Sequence, residues 1–296
     1  MARKEIQLIK QSALDLFDES EDLARFAADE LGDIDKKLTA SIVEVSGTQL
    51  DKTVTIQGLQ ALQKEVGLHL ATASLSLERH ASQVFDRVYQ QQFESIIREA
   101  SLFEAASNSG IPASDMAKIA KLRPRLSGGL IKTTFEGSLE KFKKTSLQLK
   151  EPLRRMISKN VLTGGSYSDL IKDIKGTGID KGVFKTVEHR ARAIAITETT
   201  NIHSFARYES VVASNRILDK DSKLEFQWWA ILDSITSKRC RSLHKQVRAQ
   251  GKDFHAEDGW RDPKPAAHPH CRSMIIAYRR AWDSILEELE QELKAK

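Results

Sequence analysis

The sequence has few of the residues that cross-link small proteins or build β-rich cores. Its 296 residues include only two cysteines, and aromatic residues amount to 6%. Two cysteines exclude a disulfide-built scaffold, and the low aromatic content disfavours a β-rich core. No run of 18 apolar residues occurs, and the N-terminus lacks an apolar signal core. We therefore expect no membrane span, no secretion signal and synthesis in the cytoplasm.

What the chain does contain is charge, at 29% of residues, and apolar residues at helical spacing. Together these features favour long solvated helices. The spacing predicts helices over residues 1–45, 59–106, 130–161, 170–174 and 183–214, and a charged helix from 282 to the end. Two runs, 224–231 and 272–277, predict strands. The predicted fold class is α+β and predominantly helical, with an elongated N-terminal helical region and a compact C-terminal domain.

Breaks rich in glycine and proline divide the helical pattern. The turn around Gly110 and Pro112 and the glycine pair at 128–129 mark a hinge after the N-terminal helices. We predict an N-terminal helical region over 1–115, a basic helical connector over 116–160 and a C-terminal domain over 161–296.

Positive charge is concentrated in residues 118–159. This segment holds twelve lysines or arginines against three acids, a net charge of +9, while the rest of the chain carries −4. Such a segment predicts contact with phosphates or with an acidic protein surface, and a solvated helix face is the equal alternative. The candidate contact residues are Lys141, Lys143, Lys144, Arg154 and Arg155. Aromatic residues for base stacking are nearly absent, which disfavours single-stranded nucleic acid.

Rare, chemically specific residues cluster between residues 226 and 272. Both cysteines lie there, with four of the eight histidines. Cys240 and His244 are four residues apart, which puts both on one face of a helix. His268 and Cys271 are spaced as in a ligand turn. These four residues predict a tetrahedral structural zinc site with mixed sulfur and nitrogen ligands.

Several alternatives to this zinc site stay open. His255 or His270 replaces one ligand, or the two cysteines are simply small buried residues, or they form a disulfide. A Cys-His nucleophile is disfavoured because no third orienting group is evident. A nuclease built on His268 and His270 is disfavoured because no acidic metal cluster accompanies the pair.

Glu198 is a further candidate because it lies within an apolar helix, where a carboxylate needs a partner. The interpretation we favour is structural: Glu198 pairs with Arg272 or Arg192 and fixes the helix against the second strand. The functional alternative makes Glu198 a catalytic acid. No P-loop, dinucleotide fingerprint or EF-hand pattern occurs elsewhere in the chain to support an enzyme.

Four sequence blocks follow one another in the second half of the chain. They are residues 162–168, residues 193–199 with Ile-Ala-Ile-Thr-Glu, the predicted strand leading to Cys240, and residues 268–272 with His-Pro-His-Cys-Arg. In this order they resemble the phage Mu F-like family, also described as SPP1-type minor head or head-morphogenesis proteins. The resemblance covers about residues 150–280. Its structural motif residues are Thr197, Glu198, Trp229, Asp233 and Arg272.

The resemblance implies a minor structural protein of a tailed-phage head, located in the virion at the head interior or portal vertex. Such proteins are present in several copies, associate with the portal protein or major capsid protein, and act in head assembly or in handling and ejecting packaged DNA. No membrane partner is implied. Family members often carry Cys-x-x-Cys after the aspartate turn. Here Ser237 stands at the first position, which removes a thiolate ligand if that pattern binds metal.

We therefore predict a non-enzymatic minor head protein with zinc as its one candidate cofactor. Its C-terminal domain is the expected anchor. The first alternative is an enzyme, a transferase or nuclease built on the C-terminal domain and using Glu198, His268 and His270. The second is a sequence-independent DNA-binding protein that uses residues 118–159.

Overall fold

A computed structural model describes residues 2–47, 49–107, 110–124, 129–147, 149–174 and 182–294. The first part is helical, with α1 (Ala2–Ser46), α2 (Ile56–Ser107), α3 (Ala113–Ile119), α4 (Gly129–Leu147), α5 (Lys150–Leu162), α6 (Tyr167–Ile174) and α7 (Gly182–Asn215). The remainder contains β1 (Glu225–Trp229), α8 (Lys238–Leu243), β2 (Val247–Arg248), β3 (Phe254–His255), β4 (Arg261–Asp262), β5 (Met274–Tyr278) and α9 (Asp283–Lys294). The predicted fold class, α+β and predominantly helical, is confirmed. None of the described helices is both long and apolar enough to cross a bilayer.

Two features of the secondary structure differ from the sequence prediction. The helix expected over 130–161 is two helices, α4 and α5. Pro152 explains the second start, because proline lacks an amide hydrogen and is tolerated in the first turn of a helix. The strands β2, β3 and β4 were not predicted, since each is two residues long and cannot display an alternating pattern.

The chain forms two compact units, each built from segments that are distant in sequence. Unit 1 comprises residues 1–20, 84–134 and 196–296, and unit 2 comprises residues 21–83 and 135–195. Helices α1, α2, α4 and α7 each contribute residues to both units. The division into regions 1–115, 116–160 and 161–296 stays a prediction.

The core of unit 2 forms mainly from the helices α1, α2, α5 and α6, with Ala191 of α7. Its buried apolar residues follow helical spacing on each helix: Ala27, Ile34, Leu38, Ile42, Leu62, Val66, Leu70, Ala73, Leu77, Leu153, Met156, Ile157, Tyr167 and Leu170. A Cβ atom at Gly58, at the start of α2, would lie 2.3 Å from the hydroxyl of the buried Tyr167, so a larger residue there would displace that side chain. This unit carries the exposed basic residues of α5.

Unit 1 contains a three-stranded antiparallel sheet in the order β2-β1-β5. Helix α7 lies against this sheet: the Tyr208 and Phe226 rings stack at 4.8 Å, and the Thr200 hydroxyl donates to the Cys271 carbonyl at 2.9 Å. Helix α2 packs on α7, where the Ser210 hydroxyl donates to the backbone of α2. The apolar stripe of α2 is buried within this unit: Phe85, Tyr89, Phe93, Ile96, Ala100 and Phe103.

A fully buried ion pair joins these layers of unit 1. The Arg207 guanidinium contacts both carboxylate oxygens of Glu99, at 3.0 Å and 2.6 Å. Arg207 also donates to the Ile275 carbonyl in β5 at 2.6 Å, to the Ser12 hydroxyl in α1 at 3.0 Å and to Gln92 in α2 at 3.3 Å. One arginine therefore connects α1, α2, α7 and the sheet.

Candidate functional site

The pairing of β1 with β5 determines which loop residues meet. Trp229 lies opposite Met274 in this antiparallel pair. The residues that follow β1 and those that precede β5 therefore lie at the same end of the sheet. This geometry brings together two loops, residues 230–237 and 266–273, which hold most of the predicted site residues.

Asp233 and Arg272 form a bidentate ion pair across these two loops, with both N–O distances 2.7 Å. The Ile235 amide donates to the Asp233 carboxylate at 3.1 Å, and the Thr236 hydroxyl donates to it at 2.8 Å. Arg241 donates to the carbonyls of Thr236 and Asp233. Hydrogen bonding from Arg272, more than any other cause, holds the pKa of Asp233 far below its usual range. Side-chain hydrogen bonds thus fix the loop after β1.

We expect Asp233→Asn to lower the free energy of unfolding by about 1–2 kcal/mol at pH 7. The value is modest because Asp233 is 38% exposed, so that solvent screens the pair. The folded-state pKa is depressed, so the stabilisation is fully present above the unfolded pKa of about 4 and is lost progressively as pH falls from there through the folded-state pKa. Urea unfolding at pH 7 and pH 3 measures both effects. The exposed Asp221, changed to Asn, is the control; an equal loss there would contradict the role of the ion pair.

Cys240, His268 and Cys271 form a compact group at the same end of the sheet. The Cys240 sulfur lies 3.0 Å from His268 Nε2 and 3.7 Å from the Cys271 sulfur. The contact with Cys271 is the main cause that lowers the pKa of Cys240 to about 4, and the same contact raises the pKa of Cys271. The hydrogen bond to Cys240 raises the pKa of His268. Cys240 is therefore the more acidic of the two thiols.

Side chains of α7 and α8 position this group. Ser237 caps α8, with its hydroxyl accepting from the Cys240 amide at 3.1 Å. Besides the Thr200 bond to Cys271, Asn201 Oδ1 accepts from the Ala266 amide at 3.1 Å, and Thr197 Oγ1 accepts from the His270 amide at 3.2 Å. Sequence reasoning singled out Thr197 but missed Thr200 and Asn201. Thr200 and Asn201 follow Thr197 by three and four residues, so the three side chains lie on one face of the helix. This spacing is the sequence signal that indicates their shared role.

His244 lies apart from the Cys-His-Cys group. Its Nδ1 accepts from the Ala230 amide at 3.1 Å, and its ring lies edge-on to Trp229 at 5.2 Å. His255 and His270 are exposed and do not belong to the group either. The structure therefore brings together three of the four predicted metal ligands, with Ser237 beside them in place of His244.

The expected partners of Glu198 make ion pairs with other acids. Glu198 itself is buried in α7. Arg272 pairs with Asp233, as described, and Arg192 pairs with Glu21. A role for Glu198 as a structural carboxylate or as a catalytic acid stays a prediction.

The predicted basic contact residues lie on α4 and α5. The exposed ones are Lys141, Lys144, Arg154 and Arg155, and the side chain of Lys143 lies outside the described residues. The Lys144 ammonium is 3.2 Å from Glu140, and the Arg154 guanidinium is 3.6 Å from Glu151. Two of the four exposed cations thus lie beside acids of their own helix.

Comparison with known proteins identifies the segment that contains this site. Residues 151–276 match the family model described as phage Mu protein F like protein. The match includes the Asp233–Arg272 pair and the whole Cys-His-Cys group. No curated protein and no solved structure matches the chain at a significant level. The resemblance to the phage Mu protein F-like family that the four sequence blocks predicted is confirmed over residues 151–276.

Proposed function

We propose that this chain is a minor structural protein of a tailed-phage head that docks on the portal protein or the inner capsid. The observation that supports this function is the Mu F-like segment, since that family indicates a head-related phage protein. The place of action is then the virion, at the head interior or portal vertex. Each particle carries several copies.

The loop of residues 231–236, which we call the apolar loop, is the docking surface that the geometry supports best. Ile235 is 76% exposed and Leu232 is 40% exposed. Isolated apolar side chains are common on surfaces, but these two stand on a loop fixed by Asp233, Arg272 and Thr236. A preorganised loop loses little conformational entropy when it binds, so the burial of its apolar side chains contributes more fully to affinity.

Positive charge borders the apolar loop and suggests the chemistry of its partner. Lys238 and Arg241 of α8 are exposed directly after the loop, and Arg241 is bonded to the loop carbonyls. The only carboxylate within the loop, that of Asp233, is already paired with Arg272. The complementary surface is therefore an apolar pocket rimmed by carboxylates on the portal or capsid protein.

The two alternatives have less support. DNA contact through residues 118–159 remains compatible with the exposed lysines and arginines, although two of them lie beside acids of their own helix. Handling of packaged DNA is accordingly a secondary part of the proposal. An enzyme would need Glu198, His268 and His270 to act on one substrate, whereas His268 Nε2 faces the two buried sulfurs and His270 is exposed.

We expect Ile235→Asp to weaken binding to portal protein or procapsids by at least about tenfold, a cost of roughly 1.4 kcal/mol. The substitution places a carboxylate where an apolar side chain enters an acidic-rimmed pocket. Co-sedimentation of the purified chain with portal protein and, separately, with procapsids measures the effect.

Ile56→Asp is the matched control, because Ile56 is an isoleucine of similar exposure, 70%, at the start of α2. We expect it to bind as the unmodified chain does. Both variants should retain the melting temperature. Equal binding by the two variants would overturn the apolar loop as the docking surface, and no binding by the unmodified chain to either particle component would overturn the proposed function.

A further inference from the structure

We propose that Cys240, His268 and Cys271 bind one zinc ion, with Ser237 at the fourth corner of the site. The potential ligand atoms of the three residues all lie within 4.8 Å of one another. Cys240 and Cys271 are buried, so the ion would be shielded from solvent. This site goes beyond the docking function and stands independently of it.

The distance between the sulfurs fits a shared metal better than a disulfide. A disulfide needs about 2.05 Å between its sulfurs. Two thiolates on a tetrahedral zinc ion, each about 2.3 Å from the metal, lie about 3.8 Å apart. The observed separation of 3.7 Å between Cys240 and Cys271 is close to this tetrahedral edge.

The imidazole of His268 is oriented as in a metal ligand. Its Nδ1 lies 2.7 Å from the Pro269 carbonyl oxygen, so Nδ1–H donates to the backbone. This bond fixes the orientation of the ring and leaves Nε2 facing the Cys240 sulfur, 3.0 Å away. Metal-binding histidines generally donate their other ring N–H to a carbonyl or carboxylate in this way.

Polar groups surround the two sulfurs. The backbone amides of Ser273 and Ala267 contact the Cys271 sulfur, and the hydroxyls of Ser237 and Ser273 contact the Cys240 sulfur. Two thiolates and a neutral imidazole on Zn²⁺ make a complex of zero net charge, which can be buried without an uncompensated charge.

Ser237 occupies the remaining corner of the group. Its hydroxyl oxygen is 2.8 Å from His268 Nε2, and it precedes Cys240 by three residues at the N-cap of α8. A serine hydroxyl is a weaker zinc ligand than a thiolate, so we expect binding that a cysteine at this position would strengthen. The ion would link α8 to the loop before β5, which α7 also holds through Thr200 and Asn201.

The experiment measures zinc and cobalt binding by the full-length chain after chelation and under a thiol reductant. We expect one zinc ion per chain and a thiolate-to-cobalt absorption band. Cys271→Ser and His268→Asn should weaken binding by more than about 100-fold, beyond the range for outer-shell partners. His270→Asn, two residues from His268 and exposed, is the matched control and should bind normally.

Ser237→Cys keeps the test decisive if Cys271→Ser fails to fold. We expect this variant to bind zinc on the order of tenfold more tightly, because it supplies a third thiolate. Absence of zinc binding by the reduced chain, equal binding by His268→Asn, or unchanged affinity in Ser237→Cys would each overturn the proposal. Loss of both free thiols without reductant, together with no zinc binding after reduction, would assign the pair to a disulfide.

Discussion

Arg207→Met is expected to lower the free energy of unfolding by about 3–5 kcal/mol. The methionine fills similar space but leaves the Glu99 carboxylate buried without its cation. The side chains of both residues are fully buried. The substitution also removes donors to the Ile275 carbonyl, Ser12 and Gln92. This combination of lost contacts makes Arg207 one of the two most sensitive positions we identify.

Tryptophan fluorescence in urea is the appropriate measurement. All four tryptophans, at positions 228, 229, 260 and 282, belong to unit 1, which also contains the ion pair. The signal therefore reports the unfolding of the unit that is perturbed. An unchanged slope with a shifted midpoint would show a change in stability without a change in the surface exposed on unfolding.

A surface ion pair of the same geometry provides the control. Arg87 of α2 binds Glu19 of α1 in a bidentate manner at 2.6 Å, but its side chain is 45% exposed. We expect Arg87→Met to cost at most about 1 kcal/mol. Arg207→Met combined with Glu99→Leu should recover most of the lost stability, because no charge is left buried. Similar losses for Arg207→Met and Arg87→Met would contradict the importance of burial.

Trp228→Ala is expected to destabilise the chain by about 3–5 kcal/mol, the second large effect. Trp228 is fully buried in β1 and makes edge contacts with Phe254 at 5.3 Å and Trp260 at 5.6 Å. Its removal leaves a cavity beneath the β3–β4 hairpin. That hairpin carries Asp258, which binds Arg239 of α8 at 2.7 Å. The loss should therefore loosen the support of the Cys-His-Cys group as well.

Two further variants separate cavity formation from the loss of a tryptophan as such. Trp228→Phe should cost much less than Trp228→Ala, because it keeps an aromatic ring and removes an indole N–H that has no hydrogen-bond partner among the described residues. Trp260→Ala should also cost less, because Trp260 is only half-buried. Urea unfolding followed by far-ultraviolet circular dichroism measures all three. A loss in Trp228→Phe as large as in Trp228→Ala would refute the cavity explanation.

The sequence predicted the regular elements because their signals are local. The apolar stripe of α2 repeats every three or four residues, so its helix and its buried face follow from the pattern alone. The strands β1 and β5 were predicted by the runs at 224–231 and 272–277 and were found at Glu225–Trp229 and Met274–Tyr278. The family followed from four ordered blocks, and the match over residues 151–276 confirmed it.

The partners of charged residues could not be predicted in this way. Glu198 was expected to pair with Arg272 or Arg192, but the bidentate partner of Arg272 is Asp233, 39 residues earlier in the chain. No sequence pattern indicates the role of Arg207, although this residue joins four elements of unit 1. An arginine on a helix face has no local sign of its partner, because that partner depends on how other elements pack.

The sequence by itself determined most of the helices, the two long strands, the family resemblance of residues 151–276 and the concentration of cysteine and histidine near the C-terminus. Only the tertiary structure decided that His268 and Cys271 meet Cys240 while His244 turns to Trp229 and the Ala230 amide. The physical reason is the antiparallel pairing of β1 with β5. It brings two loops to one end of the sheet, and spacing along the chain carries no information about which side chains then face one another.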